Sequence, residues 1–248
     1  MTPFPLSPVA FSGEPRVVPP DAPFQWLRQG WAVFAADPGQ WLAMSVLLLV
    51  VFFALQIVPL IGSLVAVLLL PALLAGLLHA VQRLGDEGRF ELADFLAGFQ
   101  RNSGPLVMLG LLLMAGWALI LLVVAVVAGG GVAGGVLAGI AGQPGMGMGI
   151  GMAGFFIAFV LKLLLGIPLL LATWFAPALI YFNGMAPLAA LQASFAASLK
   201  NWLAMIVFAL LALVLAFFAA LPLGLGFFVL IPVLIGALHA SHKDIFLG

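Results

Sequence analysis

Three histidines and one isolated lysine are the groups in this chain best placed to do chemistry. His79 and His239 fall near the ends of two long apolar stretches, and His242 follows His239 by three residues on the same helical face. Imidazoles so arranged could ligate a metal or haem iron, or relay a proton. They could also cap a helix C-terminus, where a histidine meets free carbonyls and the negative end of the helix dipole. Capping is the expectation, because the stretch around His79 brings no carboxylate and no second ligand.

Lys162 is the one basic residue away from the other seven. An ionisable group in an apolar span is a functional candidate. A span beginning at Lys162, however, would let its ammonium reach the outer headgroups along an apolar stem, and snorkelling is the expectation. Met146, Met148 and Met152 are soft thioethers that could suit Cu(I). With no histidine beside them they are expected to fill gaps rather than bind metal.

No catalytic residue is assigned. The apolar stretches contain no Asp or Glu, and Ser45, Gln56, Ser63 and Thr173 are their main polar residues. No Ser/His/Asp arrangement or metal-ligand cluster can be drawn from them. Cysteine is absent, which removes disulfides, thiolate metal sites and cysteine nucleophiles. Neither a cofactor nor a resident metal is expected. Asp86, Glu87, Glu91 and Asp94 lie beside Arg83 and Arg89 and read as a solvated loop with local ion pairs. Net charge is zero, so no basic field points to nucleic acid.

The elements that carry these residues follow from composition. The chain is 65% hydrophobic and 6% charged, against about a quarter charged in soluble domains. A span needs about 20 apolar residues, and six segments qualify: 39–58, 62–81, 105–128, 161–182, 202–221 and 224–240. In lipid the backbone must satisfy its own hydrogen bonds, so these are helices. The strand alternation of a barrel is missing. Arg16, Arg28, Arg83, Arg89, Arg101, Lys200 and Lys243 all fall on one side of this pattern, which places both termini in the cytoplasm of a bacterial inner membrane. Residues 1–23 contain seven prolines and no apolar signal-like core, so they are expected to form a disordered tail ahead of one transmembrane domain, 24–248.

The domain repeats itself. Trp41-Leu42-Ala43-Met44 recurs as Trp202-Leu203-Ala204-Met205, and a proline follows each tryptophan by 30 residues, at Pro71 and Pro232. Gly76 and His79 are echoed by Gly236 and His239, and the turn at Pro59 by that at Pro222. A fainter middle copy carries Pro177-Ala178-Leu179, echoing Pro71-Ala72-Leu73. Such matched offsets indicate repeated hairpins, over about 24–82, 90–183 and 187–242.

Each copy opens with an amphipathic segment whose apolar face is Phe24, Leu27, Trp31 and Phe34; Leu92, Phe95, Leu96 and Phe99; or Leu188, Leu191, Phe195 and Leu199. Such helices lie in the membrane interface. Asp37-Pro38, Ser103-Gly104-Pro105 and Asn201 are expected N-caps of the spans that follow. The fold class is therefore an all-α polytopic membrane bundle: six transmembrane helices as three parallel hairpin repeats, each preceded by an interfacial amphipathic helix.

Residues 129–154 hold twelve glycines and lack the Lys-Ser/Thr ending of a phosphate loop. Spacings such as Gly131 to Gly135 permit close helix contact. A re-entrant or interfacial extracytoplasmic hairpin and a plain loop are both open. Pro71, Pro168, Pro177 and Pro232 lie within spans and are expected to kink them.

Phe34 through Trp41, the two Pro-Ala-Leu repeats and the ending Gly236-Ala237-Leu238-His239-Ala240-Ser241 resemble a family of proteobacterial six-span inner-membrane proteins. The architecture is also similar to the membrane domain attached to some glycerophosphodiester phosphodiesterases. The resemblance covers about 24–246 and implies fold and topology. It implies no activity, because the phosphodiesterase catalytic domain has no counterpart here and the family brings none of its own. The function expected is a non-enzymatic scaffold, accessory or lipid-interacting module, with membrane lipids and other membrane proteins or further copies as partners. The alternative is a transporter or channel for an apolar or amphiphilic solute.

Overall fold

The computed structural model describes residues 14–58 and 61–247. The described chain contains ten α-helices: α1 (Ala22–Ala36), α2 (Pro38–Gln56), α3 (Ile61–Glu87), α4 (Ala97–Gln100), α5 (Ser103–Ile140), α6 (Pro144–Trp174), α7 (Ala176–Asn183), α8 (Pro187–Lys200), α9 (Trp202–Ala220) and α10 (Phe227–Phe246). A 3₁₀ turn, Leu92–Leu96, precedes α4. No strand occurs among the described residues. Six segments are long and apolar enough to cross a membrane, with α6 and α7 counting as one. The chain is thus an all-helical, multi-pass membrane protein. The turn expected at Pro59 lies outside the described residues.

The chain divides into two compact units, Leu111–Leu171 and the remainder. Along the chain, a short element precedes each pair of long helices. We call these short elements elbows. They do not pack on their own hairpins alone. Elbow α1 packs on α10, the 3₁₀–α4 elbow on α3, and elbow α8 on α7. Each elbow therefore grips the second helix of another hairpin, and the first elbow grips the last helix of the chain. The second helices form the interior. Leu77 and Leu78 of α3, Leu179 and Ile180 of α7, and Ala237 and Ile245 of α10 are buried. By contrast, α2 buries only Trp41, Met44 and Ser45.

Small residues make the elbow docking possible. A Cβ added to Gly30 of α1 would lie 2.0 Å from the Val233 carbonyl oxygen of α10, so backbone meets backbone there. Facing it, a Cβ on Gly236 would lie 2.8 Å from the Gly30 Cα. Lipid is as apolar as leucine, so apolarity alone gives helices in a membrane little reason to associate, and close backbone approach supplies it.

The Asp37 cap forms as expected. The Gln40 N–H donates to Asp37 Oδ1 at 3.0 Å, and Pro38 occupies the first turn of α2. Asp37→Ala is expected to cost about 1 kcal/mol, read as a lower unfolding midpoint in detergent. The other two caps differ from expectation. Asn102 sits at φ 60° and its side-chain N–H groups donate to the Ile180 and Tyr181 carbonyls. Asn201 makes no side-chain bond to α9. Its Oδ1 accepts from the Val18 N–H at 2.8 Å and its Nδ2 donates to the Arg16 carbonyl at 3.0 Å.

That contact corrects the disorder expected through residue 23. From Glu14 onward the segment before α1 is laid down on the last two helices. The Arg16 N–H donates to the Ile245 carbonyl at 2.9 Å, the Arg16 guanidinium pairs with Asp244, and Lys200 Nζ donates to the Pro15 carbonyl at 2.7 Å. Proline richness there fits an extended strap whose few N–H groups find partners, and Val18 is buried beneath it. Residues 1–13 lie outside the described residues.

The smaller unit corrects the reading of the glycine-rich insert. α5 runs on to Ile140 and α6 begins at Pro144, so glycines 129–154 belong to two continuous helices joined at residues 141–143. At 1.5 Å per residue, the 38 residues of α5 reach about 57 Å, well beyond a hydrocarbon core of about 30 Å. Glycine is costly within a helix, but here it lets two backbones touch: a Cβ on Gly131 would sit 2.6 Å from the Gly154 Cα, and one on Gly147 2.4 Å from the Gly135 carbonyl oxygen. A Cβ on Gly134 would lie 3.1 Å from Ile150 Cγ2. The double variant Gly134→Cys, Ile150→Cys is therefore expected to form an intramolecular disulfide on mild oxidation, seen as a gel shift that reductant reverses. Failure to cross-link would favour the plain loop.

Pro71, Pro168 and Pro232 lie inside helices, and Pro177 lies in the same apolar span as Pro168, Pro144–Asn183. The chain breaks at Phe175, and Pro177 stands in the first turn of α7.

Candidate functional site

The charged residues gather where α3, α7 and α10 end. Arg83, near the end of α3, spans three carboxylates. Its NH1 donates to both Asp94 oxygens at 3.0 and 3.1 Å, its Nε to Glu87 at 3.1 Å and its NH2 to Glu91 at 3.4 Å. Asp94 is buried, and its Oδ2 also accepts the Glu91 N–H at 2.8 Å. Sequence reading treated these acids as a solvated loop. Glu87 and Glu91 do remain exposed, but Asp94 is the latch that holds the second elbow on α3. It also approaches His79, whose Nε2 lies 3.8 Å from Asp94 Oδ1. The carboxylate arrives from 15 residues along the chain, across a bend that periodicity does not reveal.

The other two histidines meet around an aromatic ring. Phe182 of α7 lies 5.6 Å from His239 and 5.7 Å from His242, centre to centre, and His242 lies 5.6 Å from Phe246. His242 is 1% exposed. Its Nε2 lies 3.0 Å from Asn183 Oδ1, and its Nδ1 has no partner. His79 keeps apart from this pair, edge-on to Tyr181 at 5.8 Å. Among the described residues no three His, Asp or Glu side chains come together to hold a metal.

Beside this cluster is a pocket of about 240 Å³. Gln82 of α3, Arg101 just after α4, Asn183 of α7, and His239, His242 and Lys243 of α10 supply its polar wall. Arg101 also stands over the Tyr181 ring, 5.8 Å from its centre. Gln82 and Asn183 were not singled out in the sequence, and Arg101 and Lys243 counted only toward orientation. The one signal that could have drawn them together is that each lies near the end, or just past the end, of a span or elbow.

The remaining expected residues lie elsewhere. Lys162 stands 18 residues inside α6, not at the start of a helix, because α6 begins at Pro144. It is half-buried. Met146, Met148 and Met152 lie on the first turns of the same helix and are each well over half exposed. Positions 146 and 148 point about 200° apart around a helix, so the three thioethers do not converge. The site assembled in the structure is the pocket, with two of the three histidines. Comparison with family models, with curated proteins and with solved structures finds no match to this chain.

Proposed function

We propose that the chain is a non-enzymatic module of the bacterial inner membrane that binds and orders lipid in the cytoplasmic leaflet. In this reading its charged end and both termini lie in the cytoplasm, as the seven basic residues on one side suggest. In the same reading it belongs with the six-span family it resembles.

One observation carries the reading. Every elbow packs its small or aromatic residues inward and turns large aliphatic or aromatic side chains outward. Phe24 and Trp31 of α1, Leu92 and Leu96 of the second elbow, and Leu188 and Leu199 of α8 are all exposed. In α1 the inward face is Trp26, Gly30 and Phe34. In α8 it is Ala190, Ser194 and Ala197. Three outward apolar faces next to polar residues such as Arg28, Gln100 and Gln192 suit the boundary between headgroups and acyl chains.

Passage of a solute gains less support. A selective path needs placed donors, acceptors or charges, whereas α3, α7 and α10 touch through buried Leu77, Leu78, Leu179, Ile180 and Ala237.

Replacing the six outward residues by glutamine is expected to reduce severalfold the phospholipid that stays with the protein after mild extraction. Helix content should hold, because none of the six lies in the packed interior. Unchanged lipid retention in that variant would remove the basis of the proposal. Uptake or conductance in proteoliposomes would replace it with transport.

A further inference from the structure

We propose that the pocket at the charged end is a binding site for a phosphate-bearing anion. Arg101 and Lys243 would supply charge, and the amides of Gln82 and Asn183 would supply further hydrogen bonds. This goes beyond the elbow reading and uses none of its residues, so either can fail without the other.

The chemistry of the wall points one way. Arg101 and Lys243 reach the pocket from elements more than a hundred residues apart, and no carboxylate lines it. Three of the other cations at this end are already committed: Arg16 to Asp244, Arg83 to Asp94, Glu87 and Glu91, and Lys200 to the Pro15 carbonyl; Arg28 and Arg89 do not line the pocket. Arg101 and Lys243 form no ion pair among the described residues, and Asp244, next to Lys243, is taken by Arg16 and by the Trp26 indole N–H at 2.9 Å. Asp94, on the 3₁₀ turn against α3, is held by Arg83.

A second feature is independent of charge. His242 lines the pocket, is 1% exposed, and leaves Nδ1 without a partner. Its Nε2 lies 3.0 Å from Asn183 Oδ1; with that nitrogen carrying the proton, the amide keeps Nδ2 to donate. The wall thus offers a guanidinium fork, an ammonium and amide N–H groups, a donor set suited to phosphate oxygens. At about 240 Å³, the pocket is smaller than the roughly 300 Å³ at which drug-sized sites begin, so it suits a headgroup or a small phosphate.

Two sources share this chemistry, a lipid headgroup and a free phosphate. The test uses the full chain in a phosphate-free, non-ionic detergent. Inorganic phosphate is titrated in one arm and short-chain phosphatidylglycerol in the other, with binding followed calorimetrically. Saturable binding of at least one probe is expected. Binding of phosphate assigns a soluble ligand, and binding of the lipid alone assigns a headgroup. Arg101→Gln and Lys243→Gln should each weaken that binding about tenfold. Asn183→Ala keeps both charges and should weaken it severalfold.

The rival role for the two cations is to offset the negative ends of α7 and α10. In that case the charge variants would lower the melting temperature and leave affinity unchanged. That result, or the absence of saturable binding by either probe, overturns the proposal.

Discussion

Gly30→Leu is expected to cost about 4 kcal/mol or more, the range reserved for changes that a packed interior cannot absorb. The reason is geometric. Even the first carbon of a side chain at position 30 would stand 2.0 Å from the Val233 carbonyl oxygen and 3.0 Å from the Ala237 nitrogen. Both are backbone atoms of α10, so no rotamer change relieves the clash and α1 must lift away. Lifting α1 also uncovers Trp26, which is 1% exposed and donates its indole N–H to Asp244. Gly39→Ala is the matched control. Its new Cβ would meet only Asp37 Oδ1, at 3.9 Å, and within α2 alanine should be neutral or stabilising by up to about 1 kcal/mol. Unfolding midpoints in detergent distinguish the two. Equal midpoints for Gly30→Leu and the natural chain would mean that α1 does not dock on α10 as described.

Trp41→Ala and Trp202→Ala should differ sharply although the two tryptophans head the same four-residue repeat. Trp41 is 1% exposed and stacks on Phe90 with ring centres 4.5 Å apart. Its truncation should cost about 3–5 kcal/mol. Trp202 is 56% exposed, and its truncation should stay within about 0.5 kcal/mol. Trp41→Phe should retain much of the packing, because the Trp41 Nε1 has no partner to lose. The same unfolding measurement checks all three, and similar losses for Trp41→Ala and Trp202→Ala would contradict the burial difference.

That pair shows where sequence reading reaches its limit. The repeat was visible because Trp-Leu-Ala-Met recurs, and its fourth position behaves alike in both copies, with Met44 and Met205 buried. Which tryptophan is covered depends on a neighbour from elsewhere: Phe90 lies between the first two hairpins and covers Trp41. The six apolar stretches were legible because length and composition decide them. Their ends were not. Glycine content left a hairpin and a plain loop both open over 129–154; close backbone contact between α5 and α6 makes glycine acceptable in a helix there.

Elbow faces were half legible. The sequence suggests Phe24, Leu27, Trp31 and Phe34 as one apolar face of α1, but Phe24 and Trp31 are exposed while Phe34 joins Trp26 and Gly30 in the stripe that packs inward. Periodicity marks large residues, whereas helices in membranes approach through small ones. The site was least legible. His79 meets Asp94 across a bend, His242 meets Asn183 across 59 residues, and Asn201 holds Arg16 across 185. Each of these pairs depends on ring closure between the first elbow and the last helix, or between neighbouring hairpins, which no local pattern encodes.

The interfacial placement of the elbows can be measured directly because the chain has no cysteine of its own. Single variants Phe24→Cys, Leu96→Cys and Leu188→Cys would each carry a nitroxide in a reconstituted bilayer, with Glu91→Cys as the aqueous control. Collision with oxygen and with a water-soluble nickel chelate then gives the depth of each label. All three elbow labels are expected at one shallow depth, reached more readily by oxygen than by nickel, with position 91 open to nickel. Free access of nickel to positions 24, 96 and 188 would contradict a lipid-seated role.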